Sequence, residues 1–218
     1  MTTIGNKMRI GLFFQAGNFV GREYFRVLKN RGYDVTPITM GVMSNESKGR
    51  EMDRTGGLWT PPPVESSVDF TEWGESYIQA MARFDVCVNG GVGMRITDSI
   101  LRAPVKGWIN IHPGRLPAFR GSSCPEWAYL LVDEVHATAH FMDGGIDTGP
   151  VICSERYPID PAWDYHRFRA NLYPFCATVL IKALTLINQP PTPQVGFGTT
   201  WPRMPEQILD LVKRKFAQ

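Results

Sequence analysis

The 218-residue chain is 43% hydrophobic and 20% charged, enough to bury a core without help from disulfides or metal. Its net charge of +2 is too small for a nucleic-acid-binding or anionic-membrane-binding surface, and no stretch reaches the roughly 20 apolar residues of a membrane span. Cys87, Cys124, Cys153 and Cys176 form no Cys-x-x-Cys pair, which points away from zinc and thioredoxin-type sites and toward a reduced, cytoplasmic compartment.

Met8 to Phe14 is a short apolar run, too short for a signal peptide, and reads as the first strand. Gln15 to Asn18 is a turn. A helix over 21–30 follows, with Tyr24, Phe25 and Leu28 as its apolar stripe and Gly32 as its stop. Asp34 to Met40 is the next strand, so the chain opens as an α/β fold with a parallel sheet. Residues 41–66 contain Gly56-Gly57 and Pro61-Pro62-Pro63 and are predicted to lack regular structure; the loop, with Trp59, could stack on a base or be a disordered surface excursion. Phe70 to Ala82 reads as a helix. Phe84 to Asn89 and Trp108 to Ile111 read as buried strands, Cys124 to Val132 as a helix, and Ala137 to Met142 and Val151 to Tyr157 as strands. Asp164 to Ile187 has the length of a long helix, kinked or restarted at Pro174. A short helix over 206–216 ends the chain. Cys87, Cys153 and Cys176 sit among apolar residues and read as buried free thiols.

Polar groups at the carboxyl ends of buried strands are where open α/β sheets place ligands. Asn110 and His112 lie two apart on a strand and therefore on one face. Read alone, they fit a hydrogen-bonded Asn and a core His as well as a catalytic pair. Met142-Asp143-Gly144-Gly145-Ile146-Asp147 joins two strands and could turn a carboxylate toward them; read alone, it is a glycine-rich connection with solvated aspartates.

Together, the segments NIHPGRLPAFRG (110–121) and GIDTGPVI, with Asp147 lying 35 residues after His112, resemble the signature of the folate-dependent formyltransferases. The resemblance covers roughly residues 8–187 and implies an open, mainly parallel twisted sheet with helices on both faces, a Rossmann-like core. It implies a catalytic domain over 1–187, with 188–218 as a tail packing on it. It implies formyl transfer from 10-formyltetrahydrofolate to an amine, without metal, using Asn110, His112 and Asp147. An amide N–H and an imidazole N–H would stabilise the oxyanion, and the carboxylate would relay protons. Cys124 is then a packing residue. Gly93, Met94, Arg95, Ile96 and Thr97 resemble the family's pterin-pocket segment. Met142, Asp143, Gly144 and Gly145 would close the other side, with His140 as support behind the catalytic residues.

In two places the chain departs from the glycinamide ribonucleotide enzymes. Their Gly-Asn-Gly-Ser-Asn phosphate loop is here Gly17-Asn18-Phe19-Val20-Gly21, and the carboxylate four residues before Tyr173-Pro174 is here Arg169. About thirty residues follow Ile187, too few for the basic second domain of the methionyl-tRNA enzymes. The expected acceptor is therefore a small-molecule amine, with an amino sugar on a nucleotide carrier as the leading form. Gly17, Asn18, Arg115, Arg120 and Arg169 are candidate substrate contacts. No nucleic-acid or membrane partner is expected, and a homodimer is compatible with the reading. A hydrolase of 10-formyltetrahydrofolate and a non-catalytic folate or nucleotide binding module are the alternatives.

Overall fold

The computed structural model describes residues 8–70, 75–92 and 96–217. In chain order its elements are β1 (Arg9–Ala16), α1 (Phe19–Asn30), β2 (Asp34–Val42), α2 (Asn45–Thr55), β3 (Val68–Phe70), α3 (Glu75–Met81), β4 (Val86–Asn89), α4 (Asp98–Leu101), β5 (Trp108–His112), β6 (Phe119–Gly121), α5 (Cys124–Val132), β7 (His136–Phe141), β8 (Val151–Arg156), α6 (Tyr165–Leu186), β9 (Thr199–Trp201) and α7 (Glu206–Lys215). Seven strands form the main sheet in the order β3-β2-β1-β4-β5-β7-β8, and β6 pairs with β9 in a second sheet. Pairing is parallel along β3-β2-β1-β4-β5 and antiparallel between β7 and β8. This is the α/β, mainly parallel architecture expected from the alternation of buried strands and helices.

The chain forms two compact units. The first comprises the residues up to Lys48 together with Pro61–Asn110. Its core is the fully buried run Ile10, Leu12, Phe13 and Phe14 of β1 with Val86 and Val88 of β4 and Trp108 of β5. The apolar run of β1 is continuous because parallel strands are covered on both faces. Helix α1 packs on β1 and β2, and Gly21 makes that close approach feasible: a Cβ there would lie 2.3 Å from Phe14 Cγ. The helix stops where predicted, at Gly32, which adopts φ +75°.

The second unit comprises Gly49–Thr60 and Ile111–Gln218. Helix α6 packs on β7 and β8, and α7 packs on α5. Tyr129, Phe168 and Phe216 form its aromatic centre, with ring centroids 4.1 Å apart for Tyr129–Phe216 and 4.9 Å for Phe168–Phe216. Burying one such phenylalanine is worth roughly 1.5–3 kcal/mol. The Asp164 carboxylate caps α6 by accepting from Arg167 N at 2.8 Å. The helix runs as one element through Pro174, so the predicted restart does not occur. Its buried face, including Phe168, Leu172, Cys176 and Leu180, holds it across the missing N–H.

The structure corrects several of the sequence expectations. Residues 41–66 contain helix α2, because NESKGREMDRT has one glycine and several good helix formers, and the Gly and Pro breakers come only after it. The helix predicted over 70–82 is present as α3 over Glu75–Met81, while Phe70 ends strand β3 and residues 71–74 lie outside the described set. The three-residue strands β6 and β9 and the one-turn helix α4 were not predicted. Cys153 is half-buried on β8, whereas Cys87, Cys124 and Cys176 are buried.

Candidate functional site

In the second unit, His112 ends β5 with only 4% of its surface exposed. Its Nε2 lies 2.7 Å from Phe119 O, and a carbonyl only accepts, so Nε2 carries the proton of the neutral ring. The loop can return over the imidazole because residue 114 is glycine: a Cβ there would lie 2.6 Å from both His112 Nε2 and Phe119 O. Nδ1 then faces Asp147 Oδ2 at 3.4 Å. On the other side of the carboxylate, His140 Nε2 lies 3.5 Å from Oδ1, while His140 Nδ1 is tied to Phe141 O at 2.8 Å. Both imidazoles thus spend one N–H on a backbone carbonyl and turn their second nitrogen to the same carboxylate.

Asp147 adopts φ +52°, a left-handed conformation costly for a non-glycine residue. Burial works against its charge, but His140, His112 and the Gly121 N–H together outweigh it and hold the carboxyl at about 2. The Gly121 N–H donates to Oδ2 at 2.9 Å. Burial pushes His112 below its ordinary value, and the Asp147 charge offsets part of that. Burial raises the Cys124 thiol to about 12, so it offers no thiolate.

The loop carrying Asp147 is self-braced. Asp143 Oδ1 accepts from Gly145 N at 3.1 Å and Thr148 Oγ1 at 2.6 Å. A Cβ on Gly145 would sit 2.1 Å from Thr148 Oγ1, and one on Gly149 would sit 1.9 Å from Phe141 O. These two glycines therefore serve the turn itself, whatever passes above it. Met142 is half-buried, and Asp143, Gly144 and Ile146 are exposed. One residue of this site carried no sequence signal. Gln194, within a proline-rich stretch, donates through Nε2 to Asp147 O at 2.9 Å and Gly149 O at 2.7 Å. Its Oε1 accepts from Arg120 Nη2 at 2.7 Å. Arg120, expected as a substrate contact, is thereby engaged in bracing the Asp147 loop.

The remaining expected site residues fall as follows. Asn110 lies two residues before His112 on β5, and its Oδ1 accepts from Asn89 Nδ2 at 3.2 Å, which fixes the end of the amide that donates. Gly93, Met94 and Arg95 lie outside the described residues; Ile96 is buried and Thr97 is the exposed N-cap residue of α4. Gly17 and Asn18 do not form an open anion cup. The Asn18 side chain accepts from Val20 N at 2.9 Å and Gly21 N at 3.4 Å, and the Asn18 backbone N–H donates to Gln15 O. Arg115 is exposed, 3.4 Å from Glu134. Arg169 is not a surface cation: it is 2% exposed, 3.4 Å from Glu126 and 3.6 Å from Glu51. Trp59 is buried and stacks on Tyr173 at 5.2 Å, so it is not available to a base. Among the described residues no His, Cys, Asp and Glu group suits a metal ion, and no helix is long and apolar enough to cross a membrane.

Comparison with known proteins places this geometry. Residues 61–184, more than half of the chain, match the family model described as formyl transferase. A methionyl-tRNA formyltransferase of Myxococcus xanthus is 36% identical over 152 residues, 69% of this chain and 43% of that protein. The chain spans between 35% and 60% of the length of the methionyl-tRNA formyltransferases it matches. Among solved structures, a sugar N-formyltransferase from Shewanella superposes with TM-score 0.61 at 12% identity, covering 88% of this chain and 75% of that one. The formyltransferase PseJ from Anoxybacillus kamchatkensis, solved with a UDP-linked formamido sugar and tetrahydrofolate, gives 0.58 at 17%, covering 88% and 85%. The family model, matched over five of the seven strands of the main sheet, shows that this chain belongs to the formyl transferase family.

Proposed function

We propose that the chain transfers a formyl group from 10-formyltetrahydrofolate to an amine of a small molecule, with an amino sugar on a nucleotide carrier as the acceptor. The observation that carries the reading is the Asp147 carboxylate held between His112 and His140. The Phe119 and Phe141 carbonyls each take up one ring nitrogen, which turns the other nitrogen of each imidazole to that carboxylate. A carboxylate and two ring nitrogens meet there, so a proton can be passed among them, directly or through water. That is what a proton relay needs.

The amine nitrogen bonds to the formyl carbon, and the carbonyl oxygen takes up the negative charge. Asn110 supplies an amide N–H for it, and a proton on His112 Nδ1 supplies a second donor. Collapse breaks the bond to the folate nitrogen. The proton released by the amine passes through Asp147 and ends on that nitrogen, so no covalent enzyme intermediate is needed. The exposed Ile146 and the half-buried Met142, on the loop that carries Asp147, offer an apolar surface to a flat heterocycle. The functional unit on this reading extends past residue 187, because Gln194 holds the Asp147 backbone. Glycinamide ribonucleotide is not the acceptor on this reading: Phe19 and Val20 stand where its enzymes carry the second glycine and the serine of the phosphate loop, and Arg169 stands where they carry the carboxylate that faces its amine.

Tetrahydrofolate release measured against a panel of amino-sugar nucleotides, simple amines, glycinamide ribonucleotide and methionyl-tRNA tests this. Turnover should depend on an added amine and be absent with glycinamide ribonucleotide. Release at the same rate without any amine would make the chain a hydrolase instead.

A further inference from the structure

A cavity of about 340 Å³ in the second unit is lined by Arg50, Arg54, Arg169 and Arg203, and also by Gly121 and Pro113. Pro113 directly follows His112 in the chain, and the Gly121 N–H bonds Asp147 Oδ2 at 2.9 Å. The wall of this cavity is therefore continuous with the proton-relay cluster. None of the described residues lining it is acidic. Arg50 and Arg54 stand one helical turn apart on α2, on the same face. Arg203 enters from the exposed segment before α7.

Arg169 is balanced from behind by Glu126 and Glu51, at 3.4 and 3.6 Å. Among the described residues neither Arg54 nor Arg203 forms a salt bridge, although the Arg54 charge helps to keep the buried Glu126 ionised. Two further observations point to a ligand. The Nε of Arg169, a side chain 2% exposed, has no hydrogen-bond partner. The first turn of the nine-residue helix α5 also lines the cavity, presenting its partial positive charge there.

We infer that this cavity binds an oxyanion of the acceptor, a phosphoryl or carboxylate group, and so sets the amine toward Asp147. The inference rests on the formyl-transfer reading for the identity of the ligand, while the anion site stands on the arginines alone. Guanidinium groups suit such oxyanions because their planar donors match the spacing of the oxygens. The volume, at the lower end of small-molecule pockets, suits a compact anionic amine or the phosphate end of a larger one.

The test is calorimetric titration of the full chain, without folate, first with inorganic phosphate and then with acetate, at low ionic strength. At least one anion should bind the wild type with saturable heat, and the preferred one names the oxyanion. Arg54→Gln combined with Arg203→Gln should weaken binding about tenfold or more, the usual scale for losing charge-assisted hydrogen bonds. Arg203→Gln alone, at an exposed loop position, should weaken it less and keeps the test valid if the double variant fails to fold. Arg102→Gln, remote in sequence and exposed, should change nothing. Absence of binding to the wild type, or equal binding by the Arg203 and double variants, overturns the inference even if folate turnover is found. Weakened binding by the variants without any folate turnover would leave the anion site standing and remove the formyl-transfer reading.

Discussion

Two glycine-containing connections invite comparison: the β1–α1 turn at Gly17 to Gly21 and the β7–β8 loop from Met142 to Pro150. Both follow a buried strand, and both look in sequence like places where backbone meets ligand. In the first, Asn18 turns inward. It caps α1 and also donates from Nδ2 to Gly91 O at 3.3 Å, so the turn's polar groups satisfy one another. Gly91, at φ +103°, is glycine because a Cβ would fall 2.3 Å from that same Asn18 amide. In the second, Asp143 does the internal bracing, and Asp147 is held at a strained φ with its carboxylate turned to two imidazoles. What separates a structural turn from a chemical one is therefore whether a second residue takes over the bracing and releases the carboxylate.

Replacing the released carboxylate should have the largest effect. Asp147→Asn should keep the fold and lower turnover by about 10²–10⁴-fold; near-wild-type turnover with an identified acceptor would remove Asp147 from the chemistry. The same variant sharpens the electrostatic side. The folded-state carboxyl, at about 2, lies below its ordinary 3.8, so the folded state binds the proton less tightly than the unfolded one. The resulting stabilisation is present above about pH 4 and is lost as pH falls toward 2, in all roughly 2 kcal/mol. His112, pushed below its ordinary 6.5 by burial, contributes in the same direction, with stability full above that value and falling beneath it. Urea unfolding of wild type and Asp147→Asn between pH 2 and 5 should show the low-pH component in the wild type and a flatter curve in the variant.

A smaller effect is expected from the brace. Gln194→Glu keeps the shape of the side chain but removes the donor that serves Asp147 O and Gly149 O. It should cost about 1–3 kcal/mol of stability and lower kcat by roughly 10-fold to 10²-fold through misplacement of the carboxylate. Unchanged kcat in a folded variant would make Gln194 a packing residue only. The smallest effect is expected at the other turn. Asn18→Ala should lose a helix cap worth about 1 kcal/mol and leave the acceptor KM where it was. A raised KM with unchanged stability would reverse the contrast and make that turn a substrate site.

The parts of the fold that could be read from the sequence are those whose signal is local. The apolar runs of β4 and β5 are buried in a parallel sheet, and α5 keeps the bounds its apolar density suggests. Helix α2 was hidden because its charged residues show little apolar periodicity and sit beside Gly56, Gly57 and the three prolines. Strands β6 and β9 were hidden because Phe119 pairs with Thr199, eighty residues away, over only three residues each. At the site, His112 and Asp147 were visible as a spaced motif, and the structure places them 3.4 Å apart. Arg169 reads in the sequence as a candidate substrate contact, and its two buried partners, Glu51 and Glu126, are too distant in sequence to be foreseen. Nothing around Gln194 distinguishes it from the polar residues of any proline-rich connection.

The grip of Gln194 on Asp147 has a consequence for anyone who would transplant this chemistry. The family pattern ends at residue 184, so a graft designed from it would carry the histidine and the aspartate yet leave behind the amide that holds the aspartate's backbone. Such a cassette would have the right reagents in a slack hand. On the proposed function, the smallest portable piece would include residue 194 and the Arg120 side chain that bonds it.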